Sequence, residues 1–357
     1  MPRRRVTSQD VAQSAGVSRT TVSFVLNNVP GISLSEATRQ RVMDAARRLN
    51  YHPDSAARRL VSGRSHTLGL VLRQSPEQVF ADAFLPQVIL GLGQAALQHG
   101  FHVLLNPLEP QDRIGYARLI HEKHVDGIVL SGPRQDDDDL LRLHREGVPV
   151  MLMGQLPGTD LPFVDVNAVD GAEMAVAHLI AAGHRRIALI TNASLDYTSA
   201  QHRQRGYRQA LERAGLPFDA ALVRSGDFTP ASGAAAMNSL LGLTPLPTAV
   251  FVASDTVAMG AIQAIKRAGL RIPQDIAVVG FDDIALAGFY DPTLTTIRLP
   301  AHGLGWAAGE RLIRVIQGET LDQSGVLLGT ELVVRASSVP EAPGVETLAK
   351  VSEPSQG

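Results

Sequence analysis

The 357-residue chain has no cysteine, a single tryptophan and only 4% aromatic residues. The lack of cysteine excludes disulfides, thiolate zinc sites, iron–sulfur clusters and thiol nucleophiles. No apolar run approaches the roughly 20 residues that a membrane-spanning helix needs. The basic start, Pro2-Arg3-Arg4-Arg5, resembles the head of a signal peptide, but polar Thr7-Ser8-Gln9-Asp10 follows where an apolar stretch would be required. The sequence therefore predicts a cytoplasmic protein with no membrane partner. Also missing are the Gly-x-Ser-x-Gly nucleophile elbow and the Gly-x-x-x-x-Gly-Lys-Ser/Thr phosphate loop, so an enzyme reading finds no residues to assign. Hydrophobic residues make up 45% of the chain and charged ones 19%, which excludes overall disorder and supports two or three globular units.

The net charge of −2 hides an asymmetry. Residues 1–65 carry eleven arginines, no lysine and four acids, a net of +7, while the remainder holds 22 bases against 31 acids, a net of −9. A small basic unit joined to a larger acidic one points to a polyanion partner at the amino end, with a merely solvated helical surface as the plainer alternative.

Thr7-Ser8-Gln9-Asp10 has the form of a capping box, and Val11, Ala12 and Ala15 then share one helical face before Gly16. Ser18 can cap a second helix from Arg19 to Asn27 with Val22, Val25 and Leu26 inward. Ser35 can cap a third, Glu36 to Leu49, through Val42, Ala45, Ala46 and Leu49 at a 3.6-residue period. Two short helices around a Gly-Val-Ser turn make a helix-turn-helix, whose second helix enters the major groove. Its outward residues are Arg19, Thr20, Thr21, Ser23 and Phe24. Arg19 is suited to guanine, Thr20 and Phe24 to thymine methyls, and Ser18, Ser23 and Asn27 to phosphates.

The run from Val6 to Asn27 resembles the DNA-binding signature of the lactose/galactose repressor (LacI/GalR) family, and Leu49-Asn50-Tyr51-His52-Pro53 resembles its closing turn. Asp54–Ser62 resembles its hinge helix, in which Leu60, beside Ala57, would take the role of a minor-groove wedge and Arg58 and Arg59 would hold phosphates. The resemblance thus implies DNA contacts at Thr7, Ser18, Arg19, Thr20, Thr21, Ser23, Phe24, Asn27, Tyr51, Ala57 and Leu60. Phe24 stands where many members carry a polar base reader, which leaves the operator sequence open.

From Thr67 the pattern alternates short β-rich runs with helical stretches. Expected strands are Thr67–Leu72, Phe101–Leu105, Val125–Leu130, Val148–Met153, Arg186–Thr191, Thr248–Ala253 and Ile276–Phe281; helices include Gln87–His99, Gly171–Ala182, Arg203–Ala214 and Thr256–Ala268. Such alternation predicts parallel sheets with helices on both faces, in two lobes. The family likeness continues through Gly183-His184, Gly206-Tyr207, Ser254-Asp255 and Asp282-Asp283 to about Ser338. It implies an N-terminal all-α helix-turn-helix domain (1–53), a hinge helix and linker (54–65), an α/β two-lobed periplasmic-binding-protein-like domain with Rossmann-like lobes (66–340), and a tail (341–357). Lobe crossovers are expected near Leu161, Tyr290 and Leu321.

Carried over residue by residue, the family's pocket falls on Phe84, Arg203, Phe228, Ser254, Asp255 and Asp282. Asp255 is equally suited to capping the next helix. Gly154-Gln155 and Pro110 depart from the family's charged positions, and a neutral sugar or polyol suits the remaining set better than a purine-like corepressor. The resemblance implies a homodimeric regulator, a repressor on a palindromic operator in double-stranded DNA, tuned by that ligand and needing no cofactor. A solute-binding protein is the rival, but it has no use for residues 1–65. Three other signals weigh less. Gly91-Leu-Gly93-Gln-Ala-Ala96 matches a dinucleotide fingerprint but falls inside a helix rather than after a strand. His121 and His124 can share a helical face without the rest of a zinc motif, and Asp136–Asp139 read as a solvated, helix-capping run.

Overall fold

The computed structural model describes residues 6–26, 32–51, 63–109, 111–112, 115–321 and 325–339. Asn27, Pro110, Ala57, Leu60 and their hinge neighbours Arg58 and Arg59 lie outside the described residues, as does the tail from 340 onward. The chain divides into two compact units, Met1–Ser65 and His66–Gly357. No helix among the described residues is long and apolar enough to cross a membrane.

In the first unit, helix α1 (Ser8–Ala15) opens on a closed capping box: Thr7 N–H donates to Asp10 Oδ2 at 2.8 Å and Asp10 N–H to Thr7 Oγ1 at 3.4 Å. It stops at Gly16, whose φ of +67° belongs to the left-handed region that glycine enters without a Cβ clash. Helix α2 (Arg19–Leu26) starts under Ser18, whose Oγ accepts from Thr21 N–H at 3.0 Å. Ser35 caps α3 (Glu36–Arg48), with Leu49 as its closing residue. Val11, Ala12, Ala15, Val22, Val25, Val42, Ala45 and Ala46 form the buried core, so small side chains let three short helices approach closely.

The second unit holds two six-stranded sheets. Strands β1 (Thr67–Leu72), β2 (His102–Pro107), β3 (Gly127–Ser131), β4 (Val150–Met153), β5 (Phe163–Val166) and a late strand, β11 (Gly325–Leu328), build the first, in order β11-β5-β4-β3-β1-β2. All its pairings are parallel. Its helices are α4 (Pro76–Ala81), α5 (Leu85–Gln98), α6 (Gly115–His121), α7 (Asp138–Arg145) and the late α12 (Ala301–Ile316). The second sheet combines β6 (Ile187–Thr191), β7 (Val223–Ser225), β8 (Ala249–Val252), β9 (Ala277–Asp282), β10 (Thr295–Arg298) and β12 (Glu331–Val333) in order β12-β10-β9-β8-β6-β7, with only β12 antiparallel. Helices α8 (Ala168–Ala181), α9 (Thr198–Arg213), α10 (Pro230–Leu241) and α11 (Asp255–Arg267) cover it. Wholly buried strands such as β8 and β9 read as continuous apolar runs because helices close both faces.

Strands β5, β10, β11 and β12, three or four residues each, were not among the expected elements, and this displaces the lobe crossovers. The chain leaves the first sheet after β5, near Asn167 rather than Leu161; it returns after β10, near Leu299 rather than Tyr290; it leaves again between β11 and β12 rather than at Leu321.

Gly91 and Gly93 lie in mid-α5, and Gly91 serves packing: a Cβ there would run into the His302 carbonyl oxygen of α12. Helix α6 ends at His121, and Lys123 turns the chain with φ +54°, so His121 and His124 share no helical face; His124 pairs with Glu122 at 2.8 Å. The acidic run is a further correction. Asp137 is buried, not solvated, and accepts from the Tyr116 hydroxyl at 3.0 Å and Arg134 N–H at 3.2 Å while lying 3.5 Å from Arg73.

Candidate functional site

The carboxyl ends of the parallel strands in both lobes face one cleft of about 880 Å³, counted to its open mouth. Open α/β sheets bind ligands at such ends because side chains there leave the sheet without losing ladder hydrogen bonds. Arg203 enters the cleft from α9 and is only 8% exposed. Its guanidinium donates to the Ala253 carbonyl, lies 4.1 Å from the Phe281 ring centre and sits 3.5 Å from Asp282 Oδ1. Its Nε has no hydrogen-bond partner. Asn192, immediately after β6, is also buried; its Nδ2 donates to Ser199 Oγ at 3.1 Å while its Oδ1 is unpartnered. Buried polar atoms without partners are costly, and two lining one cleft point to groups that a ligand supplies.

Asp282 ends β9 with φ +121° and Asp283 follows at +54°, while Phe228 sits at +69°. Backbone held in this region by residues other than glycine is strained, and such strain collects at binding sites. Burial pushes the Asp282 carboxyl up to about 7, against the opposing pull of Arg203; Asp82 raises it further. Asp82, two residues before Phe84, is itself raised to about 6 by burial although Phe84 N–H donates to it at 3.0 Å. Burial also raises Asp165 on β5, which accepts from Gln155 Nε2 at 2.8 Å. The lining thus holds three carboxylates against one guanidinium, with Asn192 adding a further acceptor.

Of the six residues expected in the pocket, Phe84, Arg203, Phe228, Ser254 and Asp282 line this cleft. Asp255 does not. It is fully buried at the start of α11, where it accepts from Ile284 N–H at 3.0 Å and Thr296 Oγ1 at 2.7 Å, tying the helix to the loop after β9. Burial raises its pKa well above the usual carboxylate range, and Asp282 nearby adds to the shift. Asp82, Asp165 and Asn192 were missed by the motif reading. The rule that strand ends bind ligands would have found Asn192, which follows the expected strand Arg186–Thr191; Asp165 lies on the unexpected β5.

In the first unit, Ser18, Arg19 and Thr20 are exposed at the start of α2, and Thr21, Ser23 and Phe24 are half-buried along it. The Thr7 hydroxyl is engaged in the capping box, donating to Asp10 Oδ2 at 2.8 Å, and Thr21 Oγ1 lies 2.9 Å from Ser18 Oγ. Tyr51 packs against the three-helix core.

Comparison with known proteins agrees at both ends. Residues 7–54 match the family described as bacterial regulatory proteins, lacI family, and residues 176–338 match the periplasmic binding protein-like domain. The HTH-type transcriptional regulator CelR of Thermobifida fusca is 38% identical over 342 residues, 94% of this chain and 99% of its own. The HTH-type transcriptional repressor CytR of Escherichia coli K12 is 36% identical over 335 residues, 93% of this chain and 96% of its own. Among solved structures, a complex of CelR with cellobiose superposes with a TM-score of 0.72 at 35% identity, covering 93% of this chain and all of that one. A lac repressor dimer bound to operator and an anti-inducer gives 0.81 at 31%, covering 94% and 100%. A helix-turn-helix unit followed by a two-lobed cleft, with full-length relatives above 30% identity, makes this chain a member of the LacI family of transcriptional regulators.

Proposed function

We propose that the chain is a homodimeric repressor that grips a palindromic operator in double-stranded DNA and responds to a neutral, hydroxyl-rich ligand, a sugar or polyol, in the interlobe cleft. The observation that carries the ligand class is the cleft's excess of acceptors: Asp82, Asp165, Asp282 and the unpartnered Asn192 Oδ1 face one guanidinium. Sugar hydroxyls donate to carboxyl oxygens, whereas a phosphate or carboxylate ligand would face three acidic groups with one guanidinium to offset them. Phe84 and Phe228 offer apolar walls for a ring face. The relatives fit this reading: one binds cellobiose in its solved complex, and a ribose operon repressor is 36% identical over 337 residues.

In this reading Arg203 and Asp282 hold the ligand, Ser254 supports Asp282, and Arg19, Thr20 and Phe24 read bases while Ser18, Ser23 and Asn27 position on phosphates. Residues 1–53 form the DNA-binding domain, 54–65 the hinge with Ala57 and Leu60 as its minor-groove face, and 66–340 the ligand-binding and dimerisation domain. The protein acts in the cytoplasm, where its DNA is, and has no enzymatic step. Ligand binding shifts operator affinity only by the difference in its affinity for the two lobe arrangements.

Isothermal calorimetry on the full-length protein with cellobiose, ribose, further neutral sugars and polyols, a sugar phosphate and a purine tests the ligand class. The expected result is saturable binding of a neutral sugar or polyol that is lost in Arg203→Met. Preference for the sugar phosphate or the purine would overturn it.

A further inference from the structure

The two lobes also meet beside the cleft, next to its lining residues Pro133 and Thr198. Arg134, in the loop after β3, and Tyr197, just before α9, form an isolated antiparallel bridge. Beside it, Thr198 N–H donates to the Pro133 carbonyl at 3.2 Å and Gln135 N–H to the Asp196 carbonyl at 3.2 Å. The Arg134 guanidinium lies 5.0 Å from the Tyr197 ring centre, and the Tyr197 hydroxyl donates to the Arg73 carbonyl in the first lobe. That carbonyl is firmly placed. The Arg73 side chain is buried, donates to the Asp112 carbonyl at 2.8 Å and pairs with Asp137, which in turn accepts from Arg134 N–H.

The Tyr197 ring also packs against Phe228, nearly perpendicular at 5.2 Å between ring centres. Phe228 lines the cleft and stands at φ +69°. One buried side chain therefore touches a ring that faces the ligand cavity and also reaches the junction of the lobes.

We propose that Tyr197 is the positioning residue that reports occupation of the cleft to the lobe junction: Phe228 sets the Tyr197 ring, and the Tyr197 hydroxyl holds the first lobe. This rests on the cleft being the effector site. A ligand that shifts the Phe228 ring changes the hydrogen bond to Arg73, and with it the balance between lobe arrangements.

Native-state hydrogen exchange of the full-length protein, with no ligand added, tests the connection. In Tyr197→Phe, which keeps the ring and loses one hydrogen bond, the Gln135 and Thr198 amides should exchange about two- to tenfold faster, as expected for one neutral hydrogen bond. The Val129 and Leu189 amides, in the sheet interiors, should not change. Phe228→Leu should speed the same two junction amides, and Phe228→Tyr, which restores a ring edge, should return them to the wild-type rate. Unchanged Gln135 and Thr198 exchange in Tyr197→Phe overturns the proposal. So does a Phe228→Leu effect confined to residues 226–230, or equal acceleration at Val129 and Leu189. Because no sugar is present, failure here leaves the effector reading intact, while failure of that reading appears separately as absent sugar binding in calorimetry.

Discussion

Each lobe contains one buried arginine–aspartate pair with a nearest nitrogen–oxygen distance of 3.5 Å: Arg73–Asp137 in the first, Arg203–Asp282 in the second. The surroundings differ. Asp137 accepts hydrogen bonds from Tyr116 and Arg134, while Arg73 donates to Asp112 and lies 5.4 Å from the Tyr116 ring centre, so the pair is tied into its own lobe. Asp282 sits on strained backbone, and Arg203 and Asp282 both line the cleft. Buried ion pairs are weak evidence for stability or function taken alone. The difference between these two lies in their surroundings: the first pair is enclosed within its lobe, while the second lines the cleft.

Substitution of each arginine by methionine sharpens the contrast. Arg73→Met removes the guanidinium that faces the buried Asp137 and should cost about 3–5 kcal/mol of stability in a denaturant titration. Arg203→Met should cost less, since Asp282 lines the cleft, where water can replace the lost partner, yet it should remove sugar binding in calorimetry. Equal losses of stability would break the comparison. Next in size, Arg19→Ala should cost about 1–3 kcal/mol on the operator and relax selectivity at one base pair in competition gel shifts. A uniform loss on all sequences would make Arg19 a phosphate contact. Ser35→Ala should cost about 1 kcal/mol by removing the α3 cap, measured by thermal melting of the first unit's transition.

The smallest expected effect is a pH slope. Folding raises the Asp282 carboxyl to about 7 and Asp82 to about 6 from about 3.8, so between those values and the unfolded pKa the folded state holds more protons. Their contribution is therefore fully present below about pH 4 and lost as pH rises through 6 to 7. Asp282→Asn should flatten that decline in denaturant midpoints between pH 5 and 7. In the wild type, sugar affinity should rise over the same interval, because ionised carboxylates accept hydroxyl donors more strongly.

The helical unit was legible in sequence because its signals are local: the Thr7–Asp10 box, Gly16, Ser18 and Ser35 each act within four residues. Strand β1 was expected at Thr67–Leu72 and occurs there, since six apolar-rich residues suffice to show a strand. The short strands β5 and β11 were missed because four residues each carry too little pattern to read, and with them went crossover positions. Arg203 and Asp282 were found through family landmarks, but Asp82 and Asp165 belong to no motif and reach the cleft only through tertiary packing. Asp255 shows the converse: beside a landmark strand, yet committed to Thr296 and Ile284.

Fluorescence anisotropy of a labelled fragment from upstream of the chain's own gene, titrated with full-length protein with and without the sugar that calorimetry identifies, tests the central claim most directly. The account predicts tighter binding than to scrambled DNA, affinity falling steeply with salt, and a shift on adding the sugar that disappears in Arg203→Met. Equal affinity for scrambled DNA, or the same sugar response in Arg203→Met as in the wild type, would contradict it.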